Sequence, residues 1–222
     1  GRCGSTLLSQ ILFEAGIANV SEPDFYTQAT SAACSSPLNP LRARVGRAVA
    51  SMGSDLCQTL SPNGVLVAKL RAESCRAPGY LLHHLESRTL FMSRGFESWA
   101  RSNLRAFRNA PRKTVDKYLR ALGCYAYLTR NSACYRVRYE DLMRDPSETC
   151  RSLGTFLQVE IAPEAVAAAL KKDSQIGTPL AQGARPDLPG WEKRLDETIK
   201  LWNSDKVKNI RDRLDPTGLA EN

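Results

Sequence analysis

Apolar residues recur every three to four positions over much of the chain, which predicts amphipathic helices. The clearest helix follows Gly4-Ser5-Thr6, and Gly16 is placed to end it. Its apolar face carries Leu7, Leu8, Ile11, Leu12 and Ala15. A second helix start is visible in Asp145-Pro146-Ser147-Glu148, which has an N-cap, a proline and an acidic residue in the expected order. Further helices are predicted near 77–86, 95–108, 113–129, from Pro163 and over 191–214.

Three short apolar runs, at 64–70, 89–93 and 133–139, predict buried strands. Because helices lie between them, we expect an α/β fold with a central parallel β-sheet flanked by helices. Ligands bind at the carboxyl ends of the strands in such sheets, so the residues that follow each strand are the candidates for a site. Residues 30–63 are rich in Ser, Ala, Pro and Gly, and are predicted to form a loop with one irregular helix at 41–59 that lines an acceptor pocket.

Composition fits a single domain over 1–222, with 42% hydrophobic residues to form its core. The balance of charged, Gly and Pro residues excludes wholesale disorder and collagen-like repeats. No apolar run is long enough to span a bilayer, so no transmembrane segment is expected. The net charge is +8, and residues 88–151 alone hold 14 basic and 6 acidic residues, a difference of +8. This concentration predicts an anionic partner.

Seven cysteines without a CxxC spacing make a zinc ribbon or a closed disulfide framework a poor interpretation. We expect reduced thiols in the core, and therefore a cytoplasmic protein. The alternative is an enzyme of the Golgi lumen with one or two disulfides. The chain opens directly on what resembles a functional loop, so we expect that a first strand is missing from its N-terminus.

Residues 1–6, Gly-Arg-Cys-Gly-Ser-Thr, form the first candidate site. Glycine lets the backbone approach an anion closely, and the N–H groups of the following helix point towards it. This is not a Walker A motif, because no lysine follows the glycine. The loop suits one phosphate-like group without a metal, and the alternative is an ordinary helix cap.

Two further candidates follow predicted strands. Arg94 comes at the end of the strand at 89–93, and Ser102 lies eight residues later in the next helix, where both side chains suit a phosphate. Tyr139 ends the strand at 133–139, and Glu140 and Asp141 are expected to make structural hydrogen bonds or ion pairs. The remaining arginines near Arg94 are expected to form a solvated face, with Arg101 or Arg105 as further phosphate ligands.

The segments GRCGSTLLSQ, LFMSRGFESWARS and RYEDLMRDP, in this order, resemble sulfotransferases that use 3′-phosphoadenosine-5′-phosphosulfate (PAPS). The resemblance covers 1–157 and is nearer to the bacterial and Golgi branches than to the cytosolic branch, whose loop begins with lysine and whose base is histidine. It implies the P-loop NTPase-like sulfotransferase fold and PAPS as co-substrate, with no metal.

The resemblance also implies roles for individual residues. Arg94 and Ser102 match the pair that binds the 3′-phosphate, and Tyr139 matches a tyrosine that contacts the cofactor. Segment 173–193 corresponds to a loop that covers the cofactor, with Arg185 and Lys193 as basic candidates. The 5′-phosphosulfate loop corresponds to Arg2, Cys3, Gly4, Ser5 and Thr6, of which Arg2 also stabilises the transferred group.

A hydroxyl acceptor must lose a proton to a nearby base as it attacks sulfur. Glu22 precedes Pro23 in extended chain, at the place where related branches carry a catalytic glutamate. His83 and His84 are the alternative bases, and the alternative role of Glu22 is that of a loop carboxylate paired with an arginine. Lys69, at a strand end, is expected to stabilise charge on the leaving phosphate, and its alternative is a surface ion pair.

The sequence therefore predicts transfer of a sulfuryl group from PAPS to a hydroxyl or amine on a small molecule, glycan or peptide. Three other interpretations remain open at this point: a small nucleotide kinase or NTPase with a degenerate phosphate loop, a basic nucleic-acid-binding module, and a PAPS-binding protein without catalysis. Among these, nucleic-acid binding is disfavoured because no RNA- or DNA-binding motif is present. The sequence does not define the acceptor.

Overall fold

Parallel strands and the helices that connect them build this α/β chain, seen in a computed structural model that describes residues 3–35, 39–61, 64–79, 88–172 and 187–214. The strands are β1 (Ala18–Ser21), β2 (Leu66–Lys69), β3 (Thr89–Ser93) and β4 (Cys134–Arg138). The helices that precede β3 are α1 (Ser5–Glu14), α2 (Asp24–Ser35), α3 (Asn39–Leu60) and the 3-10 helix Ala72–Arg76. Those that follow it are α4 (Phe96–Ala106), α5 (Pro111–Asn131), α6 (Tyr139–Arg144), α7 (Pro146–Leu157), α8 (Pro163–Leu170), α9 (Trp191–Trp202) and α10 (Asp205–Leu214).

The strands pair in two parallel sets, which confirms the three predicted strands and their parallel direction. β1 pairs with β2, and Ser21 is opposite Lys69 at the carboxyl end. β3 pairs with β4, and Ser93 is opposite Arg138 at the corresponding end. Within the described ranges these are two separate two-stranded sheets, whereas the sequence predicted one central sheet. Apolar runs identify strands, but they do not identify which strands share hydrogen bonds.

The prediction for segment 30–63 is confirmed in part. Helix α3 (Asn39–Leu60) confirms the predicted helix at 41–59, whereas α2 continues to Ser35, where a loop was predicted. Small residues favour the loop interpretation locally, but α2 buries Tyr26, Ala29, Thr30 and Ala33 along one face. The hydroxyl of Thr30 donates to the carbonyl of Tyr26, which satisfies it inside the helix. Burial of this face therefore overrides the weak helix propensity of the segment.

The terminal helix predicted over 191–214 is divided into α9 and α10 at Asn203 and Ser204. The Ser204 hydroxyl donates to the carbonyl of Leu201, and its own carbonyl accepts the N–H of Lys208 in the next helix. Tyr139 begins α6 and does not end the strand, which stops at Arg138. The helix start at 145–148 is confirmed, because the Asp145 carboxylate accepts the N–H of Glu148.

One apolar cluster fixes α1 above the strands of both sheets. Leu8 and Leu12 of α1 pack with Val137 of β4 and Leu153 of α7. Half-buried side chains from β2, β3 and β4 complete this cluster, namely Val67, Leu90, Met92 and Tyr135. The N-terminus of α1 is thereby held near the strand ends of both sheets. No described helix has the length and apolarity needed to cross a membrane.

A second cluster holds α4 against α5 and α9 through aromatic rings. Phe96 stacks on Trp202 with ring centroids 3.9 Å apart, and the Tyr118 ring meets both edge-on. Cys3 packs against this cluster. These contacts position α4, which begins just after Arg94.

Leu153→Ala should lower the free energy of unfolding by about 2–5 kcal/mol, because the leucine is fully buried between α1 and β4 and its removal leaves a cavity. Leu60→Ala is the matched control, since Leu60 is 47% exposed at the end of α3. Urea unfolding of the two variants measures the difference. Equal losses of stability would contradict this account of the core.

Candidate active site

The residues that follow the four strands lie in one connected group of side chains beside the start of α1. Glu22 follows β1, Lys69 ends β2, Arg94 follows β3 and Tyr139 follows β4. The contacts described below link each of them to the loop before α1. The predicted site residues therefore lie at the carboxyl ends of four separate strands.

Helix α1 begins without a side-chain cap in the described part of the chain. Gly4 is the N-cap and provides no side-chain acceptor, so the helix opens at Ser5 without a side-chain cap. In the first backbone hydrogen bond of the helix, the Leu8 N–H donates to the carbonyl of the N-cap residue Gly4. The first N–H groups of a helix, together with the positive end of its dipole, form a site for an anion. Ser5 and Thr6 are half-buried in the first turn of this helix.

Gly4 allows a close approach that another residue would block. Its φ is 92°, and a Cβ at this position would lie 2.4 Å from Cδ2 of Tyr139 and 2.9 Å from Cε of Met92. The loop backbone therefore rests directly on the Tyr139 ring. This contact connects the helix start to the end of β4.

Gly4→Ala should destabilise the protein by more than Gly16→Ala. Both glycines have positive φ, which costs an alanine about 1–2 kcal/mol. At Gly4 the added methyl group would also overpack against Tyr139 and Met92, which costs about 1–3 kcal/mol more. At Gly16 it would have no atom within 4 Å and so adds no such cost. Urea unfolding of both variants separates the two costs. Equal losses would show that the contact between Gly4 and Tyr139 contributes nothing.

Lys69 connects the loop to a carboxylate. Its Nζ donates to Oγ1 of Thr6 at 3.3 Å and to Oγ of Ser21 at 3.2 Å. The same Nζ lies 3.6 Å from Oε1 of Glu22, and the lysine side chain is only 17% exposed. An ammonium shielded in this way is a strong local source of positive charge beside the first turn of α1.

Glu22 is held in an unusual backbone conformation. Its φ is 57°, which is uncommon for a residue other than glycine, and its N–H donates to the Lys69 carbonyl at 2.7 Å. Its Oε2 accepts from Nε of Arg71 at 3.1 Å, and Arg71 also lies 3.5 Å from Asp24. Backbone strain of this kind costs free energy and recurs at functional sites. Contacts with Lys69 and Arg71 hold the Glu22 carboxylate in place, and its backbone keeps this uncommon conformation.

Arg94 lies over the aromatic ring of Tyr139. Its guanidinium is 4.4 Å from the centroid of the Tyr139 ring, and its Nε donates to Oγ of Ser98 at 2.7 Å. The Arg94 carbonyl accepts the hydroxyl of Tyr118 at 2.6 Å, which ties its backbone to the aromatic cluster. Arginine binds phosphate through a planar fork of donors, and the contacts with Ser98 and the Tyr139 ring fix the orientation of this fork in Arg94.

Ser98 was missed by the sequence analysis, which named only Ser102. The two serines lie four residues apart in α4 and therefore share one side of the helix. Ser102 is half-buried. The spacing from Arg94 to Ser98 to Ser102, with four residues at each step, is the signal that could have identified both.

Glu140, just after β4, forms a hydrogen bond with the backbone just after β3. Its Oε1 accepts the Gly95 N–H at 2.9 Å, and Oε2 is buried without a hydrogen-bond partner in the described part of the chain. Asp141 pairs with Arg144 at 2.7 Å and lies 3.8 Å from Arg138. Both acidic residues thus make the structural contacts that the sequence predicted.

Several predicted residues have other positions or contacts. Arg101 pairs with Glu97, and Arg105 pairs with Asp187 at 2.8 Å, so their charges have local partners. Lys193 is exposed in the first turn of α9, and no contact within the described ranges joins it to the site. Outside the described residues lie Arg2, Arg185, His83, His84 and most of segment 173–193.

Within the described ranges, no cluster of three or more His, Cys, Asp or Glu side chains could hold a metal ion. Comparison with protein-family models and with curated proteins finds no match for this chain. Its fold and its candidate site therefore define its class. It is an α/β protein in which the N-terminus of a helix, several cations and a carboxylate lie at the strand ends.

Proposed function

We propose that the protein is a PAPS-dependent sulfotransferase with a P-loop-like fold, which transfers a sulfuryl group to a hydroxyl or amine acceptor. One observation carries the proposal: two sets of contacts meet at the start of α1. Lys69 contacts both Glu22 and Thr6, and two residues before Thr6 the backbone of Gly4 lies against the Tyr139 ring, over which Arg94 lies. The order of these residues along the chain resembles that in the sulfotransferase family.

The residues fit a nucleotide that carries two separate anionic groups. The uncapped start of α1, beside the shielded ammonium of Lys69, suits the 5′-phosphosulfate. Arg94, which lies over the Tyr139 ring, suits the 3′-phosphate. A site for one inorganic anion would need only the first of these two groups.

Roles follow for the remaining residues of the site. Ser102 adds a hydroxyl to the 3′-phosphate side, and the backbone of Cys3 and Gly4 lines the 5′ side together with Ser5 and Thr6. The side chain of Cys3 serves packing, since it lies against the aromatic cluster. Arg2, Arg185 and Lys193 are proposed to add positive charge around the nucleotide when it is bound.

PAPS supplies an activated sulfuryl group and leaves as a nucleotide phosphate. Glu22 accepts the proton of the acceptor, and its φ of 57° and its contact with Arg71 orient the carboxylate. Lys69 is close enough to both Glu22 and Thr6 to stabilise negative charge that develops on the loop side. The acceptor pocket is proposed to involve α2 and α3, because α2 begins two residues after Glu22.

The concentration of positive charge at 88–151 favours a small anion over a polyanion. Within the described ranges, five of its arginines form ion pairs with acidic residues, which offset their charge locally: Arg101, Arg105, Arg138, Arg144 and Arg151. Arg94 instead lies over Tyr139 within the candidate site. Nucleic-acid binding would use rows of exposed cations along a face, and it would weaken steeply with salt.

Transfer of labelled sulfuryl from PAPS to a panel of sugars, tyrosine peptides and alcohols tests the proposal. We expect at least one acceptor to be labelled, with release of one phosphoadenosine phosphate per transfer. A nucleotide kinase or NTPase would instead hydrolyse or transfer the terminal phosphate of ATP with Mg²⁺. ATP turnover without any transfer from PAPS would overturn the proposal.

A further inference from the structure

Two thiols from distant parts of the sequence lie together on the side of α5. Cys75 belongs to the 3-10 helix Ala72–Arg76, and Cys124, 49 residues later, lies in the middle of α5. Both line one apolar cleft of about 430 Å³, together with Pro78, Leu119, Arg120 and Tyr127. The structure therefore holds a pair of cysteines that no part of the proposed transfer reaction uses.

The segment that carries Cys75 is packed tightly against α5. A Cβ at Gly79 would lie 2.2 Å from the hydroxyl oxygen of Tyr127, so the chain after Cys75 approaches the helix as closely as glycine permits. Ser74 is buried at the same contact. The two cysteines are thus held in adjacent, packed elements.

The two thiols differ in reactivity. Hydrogen bonding with Cys124 lowers the pKa of the Cys75 thiol, and the nearby Arg120 acts in the same direction. Hydrogen bonding with Cys75, followed by burial, raises the pKa of the Cys124 thiol. Cys75 is half-buried while Cys124 is buried. An attacking thiol must be reached by the other disulfide, so the more exposed Cys75 is the attacking group and the buried Cys124 the resolving one.

We propose that Cys75 and Cys124 form a redox-responsive disulfide with each other. A low-molecular-weight disulfide such as oxidised glutathione is the oxidant. The Cys75 thiolate attacks one glutathione sulfur and expels the other glutathione as a thiolate. Cys124 then loses its proton and attacks the Cys75 sulfur, which expels the second glutathione. Two protein thiols are oxidised, one glutathione disulfide is reduced to two thiols, and the two protons are taken up by the departing thiolates.

Such a cross-link would tie the turn that follows Lys69 and Arg71 to α5. Both cations contact Glu22, so the disulfide would restrain the part of the site that lies at the end of β2. The formation of the disulfide does not rest on the proposed sulfotransferase activity. Its test can therefore succeed or fail independently of that activity.

The other described cysteines are less suited to compete. Burial raises the pKa of both Cys134 and Cys150 to about 11, so their thiols remain protonated near neutral pH. Cys3, Cys34 and Cys57 do not line the cleft that holds Cys75 and Cys124. We therefore expect one preferred intramolecular bond.

Tryptic mapping of the full chain after exposure to oxidised glutathione tests the proposal. Cys75 falls in peptide 72–76, Cys124 in 121–130 and Cys134 in 131–136, so each linkage has its own mass. We expect peptides 72–76 and 121–130 to be joined, and dithiothreitol to separate them. Glutathione adducts that persist on Cys75, or linkage of Cys75 to any other cysteine, would overturn it.

Two variants control the experiment. Cys75→Ser should abolish the joined peptide, and Cys34→Ser should leave its yield unchanged. Oxidation should also raise Tm by several degrees in wild type, because the bond restrains the unfolded chain, and should not raise it in Cys75→Ser. An equal rise in both proteins would contradict a bond at this pair.

Discussion

Glu22→Gln should lower kcat for sulfuryl transfer by about 10²–10⁴-fold, the usual contribution of a positioned general base. Glutamine keeps the size of the side chain and an oxygen for Arg71, but it cannot accept the proton of the acceptor. The affinity for phosphoadenosine phosphate should change little, because the loop and Arg94 remain intact. Steady-state kinetics with an acceptor identified by labelled transfer measure the effect on kcat.

Asp24→Asn is the matched control for this substitution. Asp24 also contacts Arg71, at 3.5 Å, but its side chain is 72% exposed and it does not contact Lys69 in the described structure. The Asn variant should therefore keep nearly full kcat. A Glu22→Gln enzyme with undiminished turnover would remove Glu22 from the role of base while leaving the nucleotide site unaffected.

Arg94→Ala should weaken binding of phosphoadenosine phosphate by about 10- to 150-fold, because charge-assisted hydrogen bonds contribute about 1.5–3 kcal/mol. The substitution also removes the guanidinium from the Tyr139 ring and the donor to Ser98. Arg94→Lys tests the geometry, since lysine keeps the charge but not the planar fork. We expect its affinity to lie between those of wild type and Arg94→Ala.

Arg101→Ala controls for general loss of positive charge on α4. Arg101 lies in α4, which begins two residues after Arg94, and it pairs with Glu97 at 2.9 Å on an exposed surface. Its removal should change affinity less than about threefold, since exposed ion pairs contribute little and distant charges are screened. Equal losses for the Arg94 and Arg101 variants would indicate a diffuse electrostatic effect without a defined phosphate site.

Much of the strand framework could be predicted because buried parallel strands are short apolar runs. β3 matches its predicted range, and β2 and β4 lie within theirs. The rule that ligands bind at strand ends led to Arg94 and Tyr139 as candidates, and the structure brings these two residues into contact. The contact between them, through the Tyr139 ring, depends on tertiary structure and could not be read from spacing.

Other features have no signal in a single sequence. The positive φ of Glu22 is set by its hydrogen bond to the Lys69 carbonyl, between segments 47 residues apart. The helical state of 30–35 arises because α2 packs against α3 and buries small residues. The break at Asn203 and Ser204 is a local competition between a serine hydroxyl and the helix backbone. Each depends on contacts that form only in the folded chain.

Calorimetric titration of the wild-type protein with phosphoadenosine phosphate, in parallel with adenosine 5′-phosphate, tests the central claim most directly. The account predicts saturable binding at one site per chain, and affinity weaker by at least tenfold for the ligand that lacks the 3′-phosphate. Absence of binding by phosphoadenosine phosphate, or equal affinity for the two nucleotides, would contradict a site built from the start of α1 and Arg94.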